Sequence, residues 1–103
     1  MKIAAVAACT SGIAHTYIAK EKLVRAATSL GHEIHVETQG TIGTEDELTD
    51  KQIKEADVVI LAIDIQITGM ERFEGKKVVK VGTSLVTKAP KQLIQKIESE
   101  LKK

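Results

Sequence analysis

Every residue from Ile3 to Ala8 is apolar, and so is every residue from Val58 to Ile63. Uninterrupted runs of this length, bounded by polar residues, are expected of strands buried on both faces of a parallel sheet. The first run, with Lys2, predicts a strand over 2–8, and the second, rich in β-branched residues, a central strand over 58–63. Between them the period changes. From Ile13 to Leu30 the apolar positions Ala19, Leu23, Ala26 and Leu30 recur at helical spacing, Ile18 and Val24 widen the stripe, and Lys20, Glu21, Lys22 and Arg25 cover the other side. Gly31 is a stop signal for that helix.

Glu33 to Glu37 alternates polar and apolar, the pattern of a short strand with one buried face at a sheet edge. His35 is expected to face solvent there, and His32 to lie in the preceding turn. Residues 38–46 hold Gly40 and Gly43 and read as a loop. Thr49 and Gln52 have capping-box spacing, so a second helix is expected from Thr49 to about Ala56. Residues 65–76 predict a short helix or loop, and Lys77 to Val81 a fourth strand. Pro90 then opens a final helix with Leu93, Ile94, Ile97 and Leu101 on one face.

Alternating strands and helices predict an α/β fold. Right-handed crossovers favour an open, four-stranded parallel sheet of strand order 2-1-3-4 with helices on both faces, a three-layer arrangement. The chain has 103 residues, 43% of them hydrophobic and 28% charged, which suits one domain over 1–103. Tyr17 and Phe73 are the only aromatic residues and the formal charge is +1, so neither the stacking platforms nor the basic footprint of a nucleic-acid binder is present. No apolar stretch in the sequence reaches bilayer-spanning length. Val6-Ala7-Ala8-Cys9 imitates a lipoprotein cleavage site, but the apolar region before it is short for a signal peptide and reads better as a strand.

Cys9 is the single cysteine, so no internal disulfide forms, in keeping with a reducing cytoplasm. Free cysteines are commonly inert core residues. Cys9, however, follows the apolar run, precedes the small residues Thr10, Ser11 and Gly12, and has His15 nearby. At a turn from strand to helix, unpaired N–H groups and the positive end of the helix dipole favour a thiolate and cradle an anion. The doubly wound order places this turn and Asp64 in the crevice at the switch between the first and third strands. Without a Walker A sequence or a G-x-G-x-x-G after the first strand, no nucleotide cofactor is expected, and no metal. Thiol phosphatases of the Cys-x5-Arg type place an Arg where this chain has His15, which disfavours a hydrolase. A receiver-like module phosphorylated on Asp64 is disfavoured by the lack of an acidic pair after the first strand; Asp64 reads better as a cap or loop anchor.

Three blocks carry a resemblance: Ala8-Cys9-Thr10-Ser11-Gly12-Ile13-Ala14-His15-Thr16, then Val36-Glu37-Thr38-Gln39-Gly40, then Ala56-Asp57 with Asp64 and Arg72-Phe73 before Gly75-Lys76. With them the chain resembles the enzyme IIB component of the fructose-type sugar phosphotransferase system. The resemblance implies that Cys9 accepts phosphate from a phosphohistidine on the IIA component and donates it to a sugar, fructose by family, bound by the membrane permease IIC. It implies a cytoplasmic protein held at the inner face of the membrane through IIC. Residues 10–14 form the expected phosphate-binding loop, with hydroxyls from Ser11 and Thr16 and a stabilising contribution from His15. The family usually has Pro where this chain has Thr10, which frees the φ angle there and adds an N–H donor.

Overall fold

The computed structural model describes residues 2–8, 13–40, 43–67 and 69–101. Two strands form the middle of the sheet, β1 (Lys2–Ala8) and β4 (Val58–Ile63), paired in parallel from Ile3↔Val58 to Ala8↔Ile63. These are the two apolar runs. β2 (Glu33–Gly40) lies parallel on the other side of β1, and β5 (Val78–Val81) lies parallel on the outer side of β4. A further strand, β3 (Gly43–Glu45), runs antiparallel to β2, so the sheet has five strands in the order β3-β2-β1-β4-β5 and is mixed.

The expected four-stranded, wholly parallel sheet is therefore corrected at one edge. β2 runs on to Gly40, and residues 43–45 turn back along it through the pairs Thr38↔Glu45, Gln39↔Thr44 and Gly40↔Gly43. Gly-Thr-Glu has no apolar pattern to betray a strand. Its order comes from ladder pairing and from side chains of α1 (Ile13–Ser29): the Tyr17 hydroxyl donates to Glu45, and Lys20 pairs with Asp46. β2 is thus covered along its carboxyl end rather than being an edge. His35 is partly buried instead of facing solvent, with Nε2 2.8 Å from the Asp46 carbonyl oxygen.

Alternate residues of β1 serve the two faces. Ile3, Ala5 and Ala7 pack with Ala19, Leu23, Ala26 and Ala27 of α1, with Val86 of α3 (Thr83–Lys88), and with Leu93, Ile94 and Ile97 of α4 (Pro90–Leu101). On the opposite face Ala4, Val6 and Ala8 meet Leu48, Ile53 of α2 (Asp50–Glu55), and Phe73 of a 3-10 turn, Met70–Phe73. Helical elements therefore cover both faces, and the apolar area they exclude from water is the main favourable contribution to folding. Ile18 departs from its expected stripe and is exposed, whereas Ala27, on the opposite flank of the buried face, is fully buried. Leu101, at the end of α4, is exposed as well.

The local stops behave as the residue types require. Gly31 sits at φ 82°, its N–H bonds to the Thr28 carbonyl, and the His32 N–H reaches back to Ala27, the two bonds of a Schellman end. The reciprocal box at α2 is complete: Gln52 N–H donates to the Thr49 hydroxyl and Thr49 N–H to the Gln52 side chain. Short α3 was not anticipated. Among the described residues no helix is long and apolar enough to cross a membrane.

Candidate functional site

β1 ends at Ala8, fully buried, whose carbonyl accepts from the Asp64 N–H at 3.0 Å. α1 begins at Ile13, which puts the backbones of Ile13, Ala14, His15 and Thr16 in its first turn, with Thr16 almost fully buried. Cys9, Thr10, Ser11 and Gly12, which join the two elements in the chain, lie outside the described residues, as does the side chain of His15. The first N–H groups of any helix lack intrahelical acceptors, and here the first turn carries no acidic residue to offset the positive end of a 17-residue helix. The switch of chain direction between β1 and β4, flanked by β2, is where an open α/β sheet takes its ligands.

Asp64 stands at this end, one residue beyond β4, and both its carboxylate oxygens accept from Thr83. Its Oδ1 accepts the Thr83 N–H at 3.0 Å and its Oδ2 the Thr83 hydroxyl at 2.5 Å. The cap residue of α3 is Gly82, which has no side chain to offer, so a carboxylate from the end of β4 satisfies the helix instead. Asp64→Ala is expected to cost about 0.5–2 kcal/mol of stability, the usual cost of losing a cap, measured by urea unfolding. Beyond Asp64 a cleft of about 440 Å³ is bounded by Ile65, Ile67, Met70 and Lys80.

The structure also assembles a polar network whose parts lie far apart in the chain. Glu37 of β2 is fully buried and in register with Val6 of β1. Its carboxylate receives a two-pronged pair from Arg72, Nη1 to Oε1 at 2.7 Å and Nη2 to Oε2 at 3.1 Å. The Leu48 N–H (3.0 Å) and the Gln39 amide (2.8 Å) complete it. Arg72 in turn donates Nε to the Gly69 carbonyl at 2.7 Å and lies over the Phe73 ring, 4.8 Å from its centroid. Burial alone pushes the Glu37 carboxyl upward. The hydrogen bonds from Arg72, Gln39 and Leu48, with the Arg72 charge, outweigh it and hold the group below its ordinary 4.5. The pairing with Glu37 raises Arg72 still further above its already high value.

Sequence reasoning named Glu37 and Arg72 within separate motif blocks and gave neither a role. The available signal was thin: an acid inside a strand pattern and an arginine beside an aromatic, 35 residues apart. Only the fold joins them.

A family model described as the PTS system lactose/cellobiose-specific IIB subunit matches residues 4–96. The "PTS system fructose-like EIIB component 2" of Escherichia coli K12 is 51% identical over 100 residues, covering 97% of this chain and 94% of that protein. Among solved structures, the solution structure of an enzyme IIB subunit of the PTS from E. coli K12 superposes with a TM-score of 0.92 at 34% identity, covering 97% of this chain and 93% of that one. A domain of the fructose-specific IIABC component of Borrelia burgdorferi gives a TM-score of 0.84 at 47% identity, covering 91% and 89%. IIB units thus also occur fused to the IIA and IIC parts. A match along almost the whole chain, in sequence and in fold, makes this protein a member of the IIB family of the sugar phosphotransferase system, a phosphoryl carrier of the fructose type.

Proposed function

We propose that residues 1–103 act as one IIB domain in which the Cys9 thiolate is the phosphoryl acceptor. It attacks the phosphorus of a phosphohistidine on IIA in line; the S–P bond forms as the P–N bond breaks, and the imidazole leaves. In the second step a sugar hydroxyl bound by IIC attacks, the O–P bond forms as S–P breaks, the hydroxyl gives up its proton and Cys9 returns as thiolate. Phosphoryl transfer requires positioning and charge stabilisation more than further covalent help. Backbone N–H groups from Thr10, Ser11, Gly12, Ile13 and Ala14 are the anion cradle in this reading, with hydroxyls of Ser11 and Thr16 beside it. Fructose is the sugar, and the protein works in the cytoplasm against the inner face of the membrane through IIC.

The observation that carries this reading is the position of residues 9–12 in the chain, between the buried carboxyl end of β1 and the amino end of α1, whose first turn lacks acids. Asp64 fits a phosphoacceptor poorly, because Thr83 engages both its oxygens. Incubation of Asp64→Ala with a phosphorylated IIA tests this: uptake at the parental level is the expected result, and loss of uptake with the fold intact would return Asp64 to the chemistry.

His15 is the remaining candidate. As a residue in the first turn of α1 it lends a pH-dependent positive charge or a hydrogen bond to the transferring group. His15→Ala is expected to slow transfer by roughly 10- to 100-fold, in the range for losing a positioned acid, base or donor, while leaving Cys9 phosphorylatable. Transfer rates from pH 5.5 to 8 in both proteins measure it. Indistinguishable profiles would confine His15 to structure.

A further inference from the structure

The buried ion pair is an uneconomical way to hold this fold together. Two charges taken out of water lose hydration that their attraction only partly restores, and apolar side chains of similar volume generally stabilise as well or better. The surroundings are apolar already, with Val6, Leu48 and Phe73 in the same packed cluster as Ala8. Yet the protein shapes backbone around the guanidinium. Gly69 sits at φ 79°, and a Cβ there would stand 2.6 Å from Arg72 Nε, so any other residue at that position would strain the turn and push the guanidinium aside.

What the pair joins is informative. Glu37 belongs to β2 and Arg72 to the connection that leaves β4, and β2 and β4 are the two strands that flank β1. That connection starts with Asp64, whose N–H holds the carbonyl of Ala8, the residue before Cys9. On the β2 side, Gln39 is attached to the same carboxylate, and the Leu48 N–H fastens the segment after β3 to it. One buried carboxylate thus locks together the chain on either side of the end of β1.

We propose that Glu37 and Arg72 are positioning residues for phosphoryl transfer, fixing β2 against the connection that leaves β4 and so holding the carboxyl end of β1, to which Cys9 is joined, in place between them. Neither touches the reacting atoms in this account. Misplacement of a reacting group by about an ångström costs up to roughly 100-fold in rate, so a frame of this kind is felt in turnover rather than in donor binding. The proposal rests on Cys9 being the acceptor.

The test is the steady-state flow of phosphate from phosphorylated IIA to sugar, with IIC present, through Arg72→Met and Glu37→Gln, with rates normalised to the folded fraction measured by circular dichroism and urea titration. Met removes the fork but fills its volume; Gln keeps the carboxylate's shape and an acceptor for Leu48, so one variant remains informative if the other fails to fold. Expected is a fall of kcat by roughly 10- to 100-fold per folded molecule, with KM within about threefold of the parent. Arg72→Lys, which keeps the charge without the fork, is expected to recover part of that loss. Parental kcat in folded variants, or a loss confined to KM, would overturn the proposal. Mapping the phosphate on the parent distinguishes the premise: phosphate away from Cys9 refutes the acceptor assignment itself, whereas phosphate on Cys9 with unchanged variant rates refutes only the positioning role.

Discussion

Cys9→Ser is expected to fold as the parent does and to take up no measurable phosphate from a IIA donor. The substitution changes one atom, and serine keeps the size and the hydrogen-bonding ability of the thiol, so little stability is at stake. Reactivity is another matter. A thiol has an ordinary pKa near 8.5, and in the proposed reading the positive field at the amino end of α1, whose first turn has no acid, favours its thiolate form. An alcohol stays protonated under the same field, and no general base in this reading takes its proton. The expected loss is about 1,000-fold or more, in keeping with removal of a nucleophile from an otherwise intact site. Normal sugar phosphorylation by this variant would remove Cys9 from the mechanism.

Arg72→Ala is expected to produce the largest stability loss of any single substitution considered, about 3–5 kcal/mol at neutral pH, because it leaves the carboxylate of Glu37 buried without its counter-charge. The pH dependence has a defined sign. In the parent, the folded-state pKa of Glu37 lies below the unfolded value, so its stabilising contribution is complete above about pH 5 and is lost as the pH falls through the depressed value. The variant has little of that contribution to lose. The gap between the two proteins is therefore expected to be widest from pH 6 to 8 and to narrow on acidification towards pH 4. Urea unfolding across that range measures it. A constant gap would mean that Arg72 stabilises through its packing on Phe73 and not through its charge.

The parts of the fold legible in the sequence are those that local pattern determines. The apolar runs correspond to β1 and β4 with the expected bounds, because a strand covered on both faces has no polar position to blur its ends. Gly31 and the Thr49/Gln52 pair mark their helix ends for equally local reasons. What escaped depends on partners distant in the chain. β3 exists because it pairs with Thr38 to Gly40 and meets Tyr17 of α1; α3 is capped by an aspartate 19 residues upstream. Ile18 is apolar yet exposed while Ala27, on the opposite flank of α1, is buried, and the periodicity does not show which flank the core takes. The order of the four anticipated strands survives in the five-stranded sheet, since an extra hairpin strand extends the edge without disturbing the switch between β1 and β4.

The candidate site divides in the same way. Its expected location, at the carboxyl end of β1 and the start of a helix, followed from residues adjacent in sequence, and Asp64 was already suspected as a cap. The Glu37–Arg72 network could not be read, because nothing within either motif indicates that the other end of the pair comes from across β1.

The most direct test of the account is to incubate the protein with phosphoenolpyruvate and the general phosphotransfer components together with IIA, then locate the phosphate by mass spectrometry under conditions that preserve thiophosphate esters. The account predicts a single phosphate on Cys9, discharged when IIC and sugar are added. Phosphate on His15, Asp64 or any other residue with Cys9 unmodified would contradict it.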